Sequence, residues 1–472
     1  MSAGYKPNYG DEEPIAAFAT TAGRSALTLI RCAGRGSIEL VSSVFSPSKI
    51  KDAPGNTVIH GWIVEKEQSE NKKIDEVLVS VFRAPKSYTG EDSLDICCHG
   101  GHSSGAAVMT ALKTAGFREA LPGEFTFRAF MNGKLDLTRS ESVMELVCAK
   151  TETGRTRAVS RLCGSLEKEI NEIKQSLVKV LSAAEIFLDY SEDEIGADDD
   201  EIAGKLPNRE IAHNALDQLK KLSASWQLER IYQEGVTAAI AGRPNAGKSS
   251  LFNLFLKEDR SIVTETPGTT RDWIEAWVSI EGVPVRMIDT AGLRETDDPV
   301  EKIGVERSRE ILSEADIVLY LLDGECGLTE EDKEYIDTNA AARRIFVWNK
   351  ADKKMPPHPF PSERCAPVCV SAKTGEGLAE LASAVASAIF RQAQMPLADN
   401  EQAAIGTMRQ KNLVDSACRL LEEALAMTEK EEPLDLIAPL IREAVNSLGE
   451  ITGEVSAADI LEEMFSRFCV GK

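Results

Sequence analysis

At 472 residues, with 43% hydrophobic content and a formal net charge of −22, the chain is long enough for two to four domains with proper cores and too acidic for long-range steering toward nucleic acid. No run approaches the roughly 18 apolar residues of a membrane span, and no apolar segment of signal type follows Met1. Ten cysteines without a C-x-x-C pair fit a reducing compartment, so a soluble cytoplasmic protein with no membrane attachment is expected, and any RNA contact is local or supplied by a partner.

Residues 12 to about 137 alternate strand-like runs (Ile15 to Thr20, Ala26 to Arg31, Glu76 to Phe82, Ser93 to Cys98) with a helical run, Ser104 to Ala115. That pattern predicts an α+β domain over residues 1–137. Gly23, Gly90, Gly100, Gly101 and Gly123 fall where runs end and read as turn residues. Cys97, Cys98, His99 and His102 resemble a metal cluster, but on a strand Cys97 and Cys98 point to opposite faces, and no second ligand pair lies at zinc spacing. They read as structural strand-end residues. From about Leu137 the pattern turns helical, with Leu166, Ile170, Ile173, Leu177, Leu181 and Ala184 at spacings of three and four, which requires one buried face. The acidic patch Glu192 to Glu194 and Asp198 to Glu201 reads as a solvated loop between helices. A further amphipathic segment, Glu210 to Glu234, leads into the next strand.

That strand, Val236 to Ala241, precedes Gly242-Arg243-Pro244-Asn245-Ala246-Gly247-Lys248-Ser249, which fits G-x-x-x-x-G-K-[ST] and runs into a helix, Ser249 to Leu256. Glycines let backbone N–H groups close on phosphates, the helix N-terminus favours negative charge, Lys248 adds a point charge, and Ser249 can ligate magnesium. Next, Gly268-Thr269-Thr270-Arg271-Asp272 offers the Thr270 hydroxyl to complete the magnesium shell. Strand-like runs Trp273 to Ile280 and Val283 to Ile288, joined at Glu281-Gly282, end in Asp289-Thr290-Ala291-Gly292. This puts a carboxylate at a strand end, where it can hold magnesium through water, and leaves the Gly292 N–H for a γ-phosphate. Ala315 to Leu322 and Arg344 to Trp348 read as buried parallel strands, the second entering Asn349-Lys350-Ala351-Asp352. A carboxylate there accepts from both N1–H and the 2-amino group of guanine, whereas adenine would leave Asp352 buried and unpaired. Lys350 can lie along the base plane. After the apolar run Pro367 to Val370, a backbone N–H of Ser371-Ala372-Lys373 can meet the guanine O6. Residues 235–396 therefore read as a guanine-nucleotide-binding α/β P-loop domain with a mostly parallel sheet.

Glu401 to Met427, Leu434 to Leu448 and Ala457 to Cys469 are again helical. The economical arrangement inserts the nucleotide domain into an all-α domain made of residues 138–234 and 397–472, since the ends of an insertion lie close together.

Taken together, the chain resembles the tRNA-modification GTPase family called MnmE or TrmE over essentially its whole length. The resemblance rests on the four nucleotide motifs together with Ser87-Tyr88-Thr89-Gly90-Glu91-Asp92, Pro122-Gly123-Glu124-Phe125-Thr126, Asn132-Gly133-Lys134-Leu135-Asp136-Leu137 and the terminus Phe468-Cys469-Val470-Gly471-Lys472. It implies a homodimer that, with the flavoprotein MnmG, installs an aminomethyl-type group on C5 of the wobble uridine (U34) of certain tRNAs. The carbon would come from a 5-formyl- or methylene-tetrahydrofolate unit, which makes the N-terminal domain a folate-binding and dimerisation domain. The family's folate contacts fall on Arg31, Lys134 and Lys472, and on Asp95, where a glutamate is usual and the arm is shorter by one methylene. Cations suit the folate glutamate or formyl oxygen, and a carboxylate suits the pterin N–H edge. Cys469 is either a thiolate assisting the one-carbon or uridine chemistry or a packed helix cysteine. GTP contacts are implied at Asn245, Ala246, Gly247, Lys248, Ser249 and Ser250, at Thr264, Glu265, Thr266, Pro267, Gly268, Thr269 and Thr270, at Asp289 through Gly292, and in the two base motifs.

Leu293 stands where many GTPases carry the glutamine that orients water. Spacing leaves Glu295, Asp297, Asp298 and Glu301 as replacements, and the resemblance selects Glu301, acting through bridging water. The sequence identifies no arginine finger. In the family potassium supplies that charge, and its ligands correspond to the Asn245 side chain, the Thr264 and Thr266 carbonyls and the Thr269 region. The rival reading is a ribosome-assembly or signalling GTPase acting as a binding switch. The Arg31, Lys134 and Lys472 set and the Cys469 terminus have no evident purpose in such a switch.

Overall fold

A computed structural model describes residues 13–21, 23–66, 71–189, 206–257, 261–262, 274–289, 311–338, 344–357, 360, 366–392, 403–455 and 458–471. The chain forms two compact units, one of Met1–Met144, Ile170–Ala212 and Arg419–Lys472, the other of Glu145–Glu169 and His213–Cys418.

In the first unit the strands are β1 (Ile15–Phe18), β2 (Leu27–Ala33), β3 (Phe45–Ser46), β4 (Thr57–Lys66), β5 (Asn71–Phe82), β6 (Ser93–His99) and β7 (Arg118–Glu119). They form one sheet in the order β3-β4-β5-β6-β2-β1-β7, antiparallel except where β7 joins β1. Period-two alternation fixes its faces: Ile30 and Cys32 of β2 and Leu94, Ile96 and Cys98 of β6 are buried with Val41 of the helix Ser37–Val44 and Val108 and Leu112 of the helix His102–Ala115. The intervening residues stand on the other face, where the register sets Arg31 directly opposite Asp95. The sequence reading missed β4 and the helices Ser37–Val44 and Glu124–Met131, and β5 starts well ahead of the expected Glu76. Gly61 hid β4: a β-carbon there would lie 2.3 Å from the Ser46 carbonyl oxygen, so the β3 crossing admits only glycine.

Of the cysteine and histidine group, Cys98 is buried with its Sγ toward the Thr28 carbonyl. His99 instead partners a buried carboxylate: Asp75 accepts from the His99 N–H at 2.9 Å and the Ser104 hydroxyl at 2.7 Å, with His99 Nδ1 at 2.7 Å. Burial alone would raise the Asp75 pKa, but these bonds hold it below the usual carboxylate value.

The C-terminal segment belongs to this unit. Phe465 and Phe468, at and just after the helix Ala458–Ser466, pack with Phe127 and Leu137, Phe465 meeting Phe127 edge-on at 5.4 Å. The helix expected from Glu401 begins at Met408 instead. Residues 403–407 are not helical. Thr407 and Gln410 form a capping box there, with the Gln410 amide oxygen accepting from the Gly406 and Thr407 N–H groups and the Thr407 hydroxyl from the Gln410 N–H.

The second unit holds β8 (Val236–Gly242), β9 (Ser261–Ile262), β10 (Ile274–Ile280), β11 (Val283–Asp289), β12 (Ile317–Asp323), β13 (Arg344–Asn349) and β14 (Val368–Cys369), ordered β14-β13-β12-β8-β11-β10-β9. The five strands from β14 to β11 are parallel. Alternate residues of the same strands feed two cores. Ile240, Leu319, Leu321 and Val347 pack with Leu251, Phe252 and Phe255 of the helix Lys248–Lys257, while Ala239, Val318, Leu322 and Phe346 pack with Ile336 of the helix Glu330–Thr338. Every residue of β12 is buried, as a central parallel strand requires. The β10–β11 turn falls at Glu281-Gly282, both at positive φ (48° and 84°), the geometry of a two-residue hairpin. Among the described residues no helix is long and apolar enough to cross a membrane.

Candidate functional site

Parallel strands deliver their C-terminal ends to one edge of the sheet, which here collects Gly242, Asp289, Asp323 and Asn349. Between β8 and the helix Lys248–Lys257 the loop turns through Gly242, Asn245 and Gly247 at φ of 132°, 64° and 95°. A β-carbon on Gly242 would lie 2.5 Å from the Leu321 carbonyl oxygen, so only glycine lets this loop pass β12. The Lys248 ammonium bonds the carbonyls of Gly242 and Arg243 at 2.7 and 2.9 Å, holding the loop in a ring with its own side chain. Burial lowers the Lys248 pKa, and the Asp289 charge opposes that shift. Ser249 donates to Asp289 Oδ2 at 2.7 Å, and that carboxylate is 1% exposed. An exposed hydroxyl on a buried carboxylate is a hard-oxygen pair that suits magnesium.

Asn349 joins this loop to the neighbouring ones. Its Nδ2 donates to the Ala246 carbonyl at 2.7 Å, and its Oδ1 accepts from the Ala372 N–H at 3.1 Å. Asp352 Oδ1 accepts from the Ser371 hydroxyl at 2.7 Å, and this bond is the first cause of a pKa held below the usual carboxylate value. Asp352 itself is exposed here, so the penalty expected against adenine would arise only once a base covered it. Lys350 bonds Asp323 at 2.7 Å, Lys373 is exposed, and Ser371 is buried with its N–H on the Glu376 carbonyl. Thus Asn245 to Ser250, Asp289, Asn349, Lys350, Asp352, Ser371, Ala372 and Lys373 converge on one edge, with the Ala372 N–H already committed to Asn349.

The first unit contains a cavity of about 140 Å³ lined by Arg31, Ala33, Phe82, Tyr88, Thr89, Ser93, Asp95 and Phe125. Arg31 Nε donates to Asp95 Oδ1 at 3.1 Å, and the guanidinium carbon lies 5.6 Å from the Tyr88 ring centre and 6.0 Å from that of Phe125. Tyr88 is fixed by a 2.9 Å hydroxyl contact with Thr126. Lys134 donates to the Pro85 carbonyl at 3.0 Å, and Asn132 to the Thr89 carbonyl at 2.8 Å, so the loop carrying Tyr88 and Thr89 is tied from both sides. The tail is drawn onto the same unit: the Gly123 N–H donates to the Cys469 carbonyl, and at Gly471 (φ 94°) a β-carbon would lie 2.4 Å from the Phe18 carbonyl oxygen. The Cys469 side chain is exposed.

Two family models match. The one described as GTP-binding protein TrmE N-terminus matches residues 14–134, and the one described as MnmE helical domain matches residues 137–469. A tRNA modification GTPase MnmE from Treponema denticola is 42% identical over 477 residues, covering 98% of this chain and 99% of the relative. The MnmE of Carboxydothermus hydrogenoformans is 39% identical, over 98% of this chain and all (100%) of that one, and the MnmE of Borreliella afzelii is 39% identical over 98% of each. The chain belongs to the tRNA modification GTPase MnmE family.

MnmE family membership makes this a GTP hydrolase of tRNA modification with an α+β N-terminal domain, a helical part and a P-loop domain. Several assigned residues lie outside the described ones: Thr264, Glu265, Thr266, Pro267, Gly268, Thr269, Thr270, Thr290, Ala291, Gly292, Glu301 and Lys472. Four residues that shape the two sites had no assigned role in the sequence reading. Tyr88 and Phe125 sit inside runs recognised as family signatures, so their position was visible and their function as aromatic walls was not. Arg243 bonds the Gly327 carbonyl and Asp332, each at 3.0 Å, and Asp323 holds Lys350; both contacts join residues far apart in sequence.

Proposed function

We propose that this chain, as a cytoplasmic homodimer working with the flavoprotein MnmG, uses GTP hydrolysis to support addition of an aminomethyl-type group to C5 of U34 in tRNA, with a tetrahydrofolate one-carbon unit as carbon source. The observation that carries the folate part is the Arg31–Asp95 pair in an aromatic-walled cavity of the N-terminal unit. A guanidinium that is only partly spent on its carboxylate still offers donors to a formyl oxygen or glutamate, while the carboxylate offers an acceptor to a pterin N–H edge. At about 140 Å³ the cavity falls below the roughly 300–1,000 Å³ of pockets that enclose drug-sized ligands, so it can enclose one end of a folate only. Lys134 and Lys472 are assigned to the remainder. Cys469, exposed near the chain end, is assigned to the one-carbon or uridine chemistry.

At the nucleotide edge Ser249 and Asp289, with Thr270, would hold magnesium, which would supply positive charge against the negative charge that builds on the phosphates. Lys248 and the loop N–H groups orient the phosphates, and Asp352 with the Ser371–Lys373 loop selects guanine. Glu301 is assigned to orient water.

Folate binding provides the first test. Arg31→Ala should weaken equilibrium binding of 5-formyltetrahydrofolate by at least about tenfold, the loss of a charge-assisted bond, while GTP affinity stays unchanged. Equal loss of both ligands would indicate misfolding, and unchanged folate affinity would remove Arg31 from the site.

The second test concerns potassium. Asn245 is exposed on the loop at φ 64°, and its neutral side-chain oxygen is one assigned ligand; Thr264, Thr266 and Thr269 are the others. GTP turnover should rise about tenfold or more when potassium replaces sodium at equal ionic strength, as expected for charge stabilisation at the reacting phosphates, and Asn245→Ala should lose that response. Turnover indifferent to the two ions would eliminate potassium from the reaction.

A further inference from the structure

Asp323 ends β12 with a carboxylate 4% exposed. Its Oδ1 accepts from the Glu325 N–H at 2.9 Å, and its Oδ2 receives the Lys350 ammonium at 2.7 Å. Lys350 sits at φ 61°, directly after β13, and its ammonium also reaches Glu325 Oε2 at 3.4 Å. The other Glu325 oxygen holds Lys353 at 2.8 Å. Backbone contact sets the spacing between the two loops: the Gly324 N–H donates to the Asn349 carbonyl at 2.9 Å, and a β-carbon on Gly324 would lie 2.6 Å from that oxygen and 2.7 Å from Trp348 Nε1. Asp323 is therefore held at a fixed distance from the segment Asn349 to Asp352. Burial alone would raise the Asp323 pKa; the Lys350 bond and the Glu325 N–H overcome it, so the carboxylate stays charged and Lys350 stays protonated.

We propose that Asp323 is a positioning residue for purine recognition: by holding the Lys350 ammonium at the end of β12, it lays out the lysine's four-carbon stem as a preformed apolar shelf for the face of a guanine base. This rests on the reading of Asn349 to Asp352 as the base loop. A lysine on an exposed turn is rotamer-rich, and arresting it only when a base arrives would weaken binding. Here the buried carboxylate arrests it beforehand, and it neutralises the charge that would otherwise draw the side chain into solvent. Glu325 is a weaker accessory, since its side chain is half exposed and screened. The stem makes the same contact with base in the ground and transition states. Asp323 therefore acts on Kd and KM, and kcat at saturating GTP does not depend on it.

The test is a double-mutant cycle on the full-length protein, with Asp323→Asn, Lys350→Met and both together. Equilibrium GDP binding is measured alongside competition by inorganic tripolyphosphate, which engages the phosphate loop alone. Asp323→Asn should weaken GDP about tenfold, the equivalent of ordering one rotamer-rich side chain, and leave tripolyphosphate competition unchanged. In the Lys350→Met background the same substitution should change GDP affinity less than about twofold. An equal GDP loss in both backgrounds, or parallel loss of GDP and tripolyphosphate, would overturn the proposal and make Asp323 a plain strand-end support. If Asp323→Asn does not fold, Asp323→Glu takes its place: it keeps the charge but displaces it by one methylene, and its GDP loss must again vanish in the Lys350→Met background. Wild-type protein that binds tripolyphosphate but not GDP would defeat the guanine reading of the loop itself, an outcome distinct from failure of the cycle.

Discussion

Asp352→Asn is expected to exchange guanine for xanthine preference, shifting the ratio of GTP to XTP affinities by at least about a hundredfold, since sites built on paired polar groups reject the wrong partner by more than apolar ones. Asp352 is ionised at neutral pH, held so first by the Ser371 hydroxyl, and that bond also fixes its orientation at one oxygen. A carboxylate only accepts, which fits the N1–H and 2-amino donors of guanine; the amide both donates and accepts, which fits the N1–H and 2-carbonyl of xanthine. Asparagine keeps an acceptor for Ser371, so the loop should hold its shape. Competition of GTP and XTP for the variant provides the measurement. Unchanged GTP affinity would remove Asp352 from the base site.

The nucleotide edge was readable because its signals are local. A strand, a glycine-rich turn and a lysine within eight residues specify an anion cradle, and the strands on either side are apolar runs that admit one reading. What could not be read was how the loops brace one another. Asn349 reaches Ala246 and Ala372, and Asp323 reaches Lys350 across 27 positions, through pairings that exist only once the parallel sheet has formed. The same holds in the first unit. Arg31 and Asp95 are 64 residues apart and meet because β2 and β6 are neighbours in an antiparallel register. Resemblance had brought both residues to the ligand but gave no reason for them to touch each other. The Met408 helix start is different: Thr407 and Gln410 have the spacing of a capping box, so that boundary is written locally.

The bracing itself predicts that Gly247→Ala abolishes nucleotide binding while a chemically identical change nearby does not. Gly247 has φ 95°, and a β-carbon there would lie 2.2 Å from Asn349 Nδ2. A clash with the end of a side chain is often relieved by rotation, but Asn349 is 2% exposed and bonded at both ends, to Ala246 and to Ala372. Moving it breaks the link between the phosphate loop and the base loops, in addition to roughly 1–3 kcal/mol of left-handed strain. Gly375 is the control. It also has positive φ (84°), yet the nearest atom to its β-carbon would be Leu254 Cδ1 at 3.9 Å, an ordinary contact, so alanine there incurs strain alone. GDP affinity should fall by more than about a hundredfold in Gly247→Ala and by less than about threefold in Gly375→Ala, because only the first displaces a group that organises the site. Equal loss of affinity in the two variants would mean that backbone strain, and not the Asn349 bridge, sets the geometry of the nucleotide edge.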